Sequence, residues 1–184
     1  HPLDLAGRLV QEDLCLMRPE GESWVLAAAS LCFPTRWRLA DKIGRPLAPI
    51  HAPVPGFAAT LGGPVERFFH RLGPGRGVWR ANWGLIDDPA LFQPTGHFRT
   101  DPAAGVTAEN VGDKLWLRVE RQTLLRLPET GDILFTIRIL RERLTQTAAQ
   151  PARARRLAEL IRTMAPELKA YKSITPFEPA LLRY

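Results

Sequence analysis

KLWLRVERQTLLRLPETGDILFTIRILRERL, residues 114–144, decides how this chain folds. Two runs rich in Leu, Ile, Val, Thr and aromatic residues flank Pro-Glu-Thr-Gly-Asp, so strands at 114–127 and 133–144 are expected to form a hairpin. Alternation puts Arg118, Glu120 and Gln122 on one face of the first strand, and Thr136 and Arg138 on one face of the second. A turn centred near Thr130 sets Gln122 opposite Arg138 and Glu120 diagonal to it, so a Glu120–Arg138 pair is expected. Two readings of that pair stay open: a cross-strand salt bridge on a solvated face, or one wall of a ligand site.

Further elements gather around this hairpin. RLVQEDLCLMR (8–18) and WVLAAASLCF (24–33) read as two antiparallel strands joined by PEGES, and VWRANWGLID (78–87) as another. Ala27, Ala28, Ala29 and Ser30 are poor strand formers, which suits either a close helix contact or room for a flat ligand. TRWRLADKIG predicts a helix from an N-cap at Thr35 to Gly44, and PVERFFHRLG a second from Pro64 to Gly73. PARARRLAELIRTMAPEL predicts a terminal helix with Leu157, Leu160, Ile161, Met164 and Leu168 as its packing stripe. Residues 88–113 form a polar insert long enough to cover a site. Two strands, a helical middle, three strands and a helix make an α+β fold. We expect a PAS-like antiparallel sheet of about five strands, helices on one face, and a C-terminal helix.

With 184 residues and 45% apolar content, the chain suits one domain, 1–184, with a full core. It has no apolar run long enough to span a bilayer and no signal-like start, so a soluble protein without a membrane partner is expected. Because the first residue is not Met, the chain is expected to begin inside a longer natural sequence. The net charge of +6 comes from arginines that are scattered, so nucleic acid is not an expected partner. Cys15 and Cys32 sit in apolar segments as expected buried free thiols, which favours the cytoplasm.

KIGRPLAPIHAPVPG (42–56) holds the histidine with the strongest claim to chemistry. Pro46, Pro49, Pro53 and Pro55 stiffen the backbone around His51 and argue against a regular helix there. His51 could be a metal ligand, a catalytic base, or an ordinary residue in a stiff loop. His70 lies on the polar side of a helix, and His97 in the long insert reads as a loop or lid residue. Neither HExxH nor a spaced cysteine pair is present, so zinc is disfavoured. One histidine suffices for haem, whose porphyrin supplies the other nitrogens. LGPGRGVW (72–79) makes a turn and no dinucleotide fingerprint.

AGRLVQEDLCLM, LAAASLCFPTRWRLADKIGRPL, IHAPVPG, LWLRVERQTLLRLP and LFTIRI together resemble the haem-dependent oxidative N-demethylase family, over about Leu5 to Leu182. The resemblance implies a PAS-like core holding haem b, with His51 of IHAPVPG as the axial ligand to iron. It implies oxidation of a small secondary methylamine, such as dimethylamine, to methylamine and formaldehyde with O2. Glu120 would orient an ammonium substrate. Arg138 would hold Glu120, a haem propionate or an iron-bound oxygen species, and Arg36, Arg45 and Arg80 are further propionate candidates. Family proteins typically carry an additional N-terminal segment, which fits the abrupt start at His1.

This chain has neither cysteines for an iron–sulfur cluster nor a flavin fingerprint, so the implied partner is a separate flavin or iron–sulfur reductase subunit. Two other functions fit the same residues: a non-catalytic haem-binding PAS sensor or carrier, and a PAS-like interaction module without cofactor.

Overall fold

The computed structural model describes residues 1–95 and 105–184. Five strands form one antiparallel sheet: β1 (Glu12–Glu20), β2 (Ser23–Ser30), β3 (Gly77–Ile86), β4 (Trp116–Arg126) and β5 (Ile133–Arg143). Their spatial order is β2-β1-β5-β4-β3. The hairpins β1–β2 and β4–β5 are therefore joined through β1 and β5, which pair antiparallel with Glu12 opposite Arg138 and Cys15 opposite Phe135. The fold is α+β, and this sheet is compatible with the PAS-like arrangement expected from the sequence.

The chain divides into two compact units. The first comprises His1–Asn82, Leu91–Thr95 and Glu120–Ile139; the second comprises Trp83–Ala90, the described part of Gly96–Val119, and Leu140–Tyr184. In the first, one sheet face carries Cys15, Met17, Trp24, Leu26, Leu124 and Ile133 against Leu47 of α2 (Leu47–Ile50) and Phe69 of α3 (Gly63–Arg71). Trp24 is fully buried, with Phe69 edge-on at 5.6 Å between ring centroids. In the second, Leu85, Leu115, Leu144, Ile161, Ile174 and Phe177 form a separate core, with Leu157 and Met164 packed on it.

Local expectations that failed have identifiable causes. The N-terminus begins as helix α1 (Pro2–Gly7), and β1 starts only at Glu12. A Cβ at Gly7 would run into Ser30 Oγ, so at Ser30 the small side chain serves a close helix contact. The helix expected over 35–44 shrinks to one tight turn at Leu39–Asp41. There the Arg36 amide donates to the Gln93 carbonyl at 2.5 Å, and Arg36 adopts a left-handed φ of 62°, so long-range pairing overrides helical propensity. The terminal helix breaks into Pro151–Thr163 and Pro166–Tyr171, because Pro166 drives Ala165 into extended backbone. Cys15 is buried but Cys32 is exposed, contrary to the expectation for both.

Candidate functional site

The proline-rich segment does make one helical turn, contrary to the sequence reading, and that turn aims His51. Pro46 precedes α2, Pro49 lies within it, and His51 closes it with φ −99° and ψ 6°. At this cap the His51 amide donates to the Leu47 carbonyl at 3.1 Å, and the ring atom Nδ1 lies 2.8 Å from the same oxygen. A carbonyl only accepts, so Nδ1 must carry the proton. In the neutral ring, Nε2 then keeps its lone pair.

A stacked aromatic ring also holds the imidazole. Phe57 stacks on it at 4.5 Å and 11° between planes, and Phe57 is itself buried where the chain turns after left-handed Gly56. Burial pushes the His51 pKa below its usual value, only partly opposed by the Leu47 hydrogen bond, and the charges of Lys42 and Arg80 push the same way. The ring is thus a neutral, oriented donor.

Lys42 approaches from the preceding turn. Its Nζ donates to the Ile50 carbonyl at 2.6 Å and stands over the Trp37 ring, 5.4 Å from the centroid. Of the three arginines expected near a cofactor, Arg80 is the one whose charge reaches His51. Arg45 is exposed just before Pro46, and Arg36 is buried.

Glu120 belongs to the same sheet face. Its neighbours along β4, Gln122 and Leu124, alternate with it, and Leu124 packs in the core beneath α2 and α3. Glu120 Oε2 accepts from Gln122 Nε2 at 2.9 Å and from Asn82 Nδ2 at 3.3 Å. Asn82 lies two residues from Arg80 on β3, which puts both on one side of that strand.

Arg138 is elsewhere, and the expected Glu120–Arg138 pair does not form. Arg138 Nη1 donates to Glu12 Oε1 at 3.3 Å and Nη2 to Gln11 Oε1 at 2.7 Å. Arg121 also approaches Glu12, at 3.8 Å, so Arg121 shares Arg138's face while Glu120 and Gln122 point the other way. A register one residue off the sequence estimate explains this, since such a slip turns every side chain to the opposite face. Beside Arg121, a shallow hollow of about 340 Å³ is lined by Gly77, Val78, Trp79, Arg121 and Thr123, and includes none of the groups around His51.

A family model described as haem-dependent oxidative N-demethylase, alpha subunit-like, matches residues 1–182. The chain belongs to this family. Membership points to haem dependence and an oxidoreductase, and the subunit wording points to partner chains. The residues around His51 fit such a group, because a haem asks the protein for a neutral imidazole nitrogen and nearby cations for its propionates. Among the described residues, no cluster of three or more His, Cys, Asp or Glu could hold a bare metal ion. Nor is any described helix long and apolar enough to cross a membrane. His97 lies outside the described residues.

Lys42 and Asn82 are the site residues that the sequence reading passed over. Alternation from Arg80 reaches Asn82 directly. Lys42 was hidden inside a segment read as an ordinary helix, and nothing local announces its bond to Ile50.

Proposed function

We propose that this chain binds haem b through His51 Nε2 and serves the oxidative removal of a methyl group from a small secondary amine of the dimethylamine type. The supporting observation is the 2.8 Å hydrogen bond between His51 Nδ1 and the Leu47 carbonyl, in surroundings that disfavour the imidazolium. A hydrogen bond of this kind orients a ligating histidine and raises its basicity. Arg80 and Arg45, with Arg36, are the cations offered to the propionates.

When bound, the haem supplies oxygen activation and oxidation of the methyl carbon. Dimethylamine, O2, two electrons and two protons become methylamine, formaldehyde and water, with the C–N bond broken. The electrons come from a flavin or iron–sulfur reductase subunit, and the two free cysteines fit a cytoplasmic setting.

Glu120 is the residue for the amine. Its carboxylate is held by two neutral amides, and among the described residues no cation is bound to it, so its formal charge can attract an alkylammonium. Arg138 is left out of this role, because Glu12 and Gln11 engage its guanidinium.

Titrating the purified chain with haemin tests the first half. A Soret band at one equivalent is expected, and His51→Ala should abolish stoichiometric binding or change the spin state. An unchanged spectrum in His51→Ala removes His51 as ligand. Formaldehyde release from dimethylamine, with haem, O2 and a matched electron donor, tests the second half. Tight carbon monoxide binding without formaldehyde from any methylamine would replace catalysis by a sensor or carrier function.

A further inference from the structure

The carbonyls at the end of α2 are unevenly provided for. A helix leaves its last carbonyls without internal partners, and in a helix of only four residues those include most of its acceptors. Leu47 and Ala48 bond the His51 amide, and Pro49 bonds the Ala52 amide. The carbonyl of Ile50, the residue peptide-bonded to His51, bonds the Lys42 ammonium at 2.6 Å.

A neutral donor would satisfy that carbonyl without the cost of taking a cation out of water. The position nevertheless carries a lysine, partly buried between Ile50 and the Trp37 ring. Its charge is therefore less screened than that of exposed Arg80, and it sits on the carbonyl of the peptide bond that joins Ile50 to His51. Cap and charge come from the same group.

We infer that Lys42 is a positioning residue for His51: it clamps the end of α2 through Ile50 and sets a fixed positive charge on the backbone that carries the proposed iron ligand. This rests on the haem reading of His51. A partly buried positive charge close to the ligand of an iron centre favours the ferrous over the ferric state, so Lys42 should raise the reduction potential as well as secure the ligand. Supporting groups of this kind typically contribute about 10–100-fold to metal affinity.

The test uses the full chain, haemin, and the variants Lys42→Met, Lys42→Gln and Lys42→Arg beside His51→Ala. Lys42→Met should bind haemin about tenfold more weakly, with a lower reduction potential by spectroelectrochemistry. Lys42→Arg should recover most of the potential, because it restores the charge. Lys42→Gln, which can still donate to Ile50, decides the matter should Lys42→Met fail to fold: it should keep more of the affinity and lose the potential. Wild-type affinity and potential in Lys42→Met or Lys42→Gln, alongside loss of haem in His51→Ala, would overturn the role of Lys42 and leave His51 as ligand. An unchanged haem spectrum in His51→Ala would instead remove the ligand reading, and the Lys42 inference with it.

Discussion

Two glutamates on opposite faces of one sheet are satisfied in different ways. Glu12 accepts from Arg138 and faces Arg121, so its charge is neutralised by guanidinium groups. Glu120 accepts from the amides of Asn82 and Gln122, which satisfy its oxygen without cancelling its charge. The first arrangement fastens β1 to β5. The second leaves a carboxylate charge bound only by amides on the face against which α2 packs.

The same contrast between faces can be pressed with tryptophans. Trp24 is fully buried and meets Phe69 and Phe69's helix, whereas Trp79 is 71% exposed beside Arg121. Trp24→Ala should cost about 3–5 kcal/mol, and Trp79→Ala should stay within about 0.5 kcal/mol. Urea denaturation measures both. Comparable losses at the two positions would mean that the outer face is packed as well.

Exchanging charge for an isosteric amide sharpens the comparison of the glutamates. In haem-loaded protein, Glu120→Gln should weaken dimethylamine binding about tenfold, as expected for losing a charge-assisted hydrogen bond, while haemin affinity stays unchanged. Glu12→Gln should leave amine binding alone and lose at most about 1 kcal/mol of stability, a loss that shrinks as salt rises. Calorimetric titration with dimethylamine, followed by melts at two ionic strengths, separates the cases. Equal effects on amine binding would show that the two faces are not functionally distinct.

A smaller effect comes from pH. The His51 pKa is lower in the folded chain than its ordinary 6.5, so the unfolded chain binds the proton more readily. Stability from this group is complete above 6.5 and is lost as pH falls through the lowered folded value, where it levels off. His51→Gln should flatten that part of the stability profile in haem-free protein. Persistence of the same slope in the variant would trace it to another group.

Much of this was legible locally. Hydrophobic alternation and turn residues marked all five strands, within a few residues of their observed ends. Pro64 and the spacing of Phe69 and Leu72 marked α3, and four prolines singled out His51. None of these signals depends on what lies across space. Four X-Pro steps around α2 argue against a helix, yet a single turn tolerates Pro49 within its first residues. The terminal helix was overextended because its apolar spacing continued past a proline that the backbone could not follow.

What the sequence determined by itself was the set of strands, the stiff histidine loop and the kinds of polar side chain present in each. The tertiary structure decided which of them meet. Arg138 pairs with Glu12 because β1 joins β5 on the side away from β4, a partnership 126 residues apart in the chain. Glu120 faces the helices because register, which side-chain periodicity alone leaves free by one residue, assigns the face. Lys42 reaches Ile50 only after the turn at Leu39–Asp41 brings its side chain to the end of α2. Periodicity is a local property of the chain, whereas pairing, register and capping by distant side chains are settled by packing among segments that the sequence keeps apart.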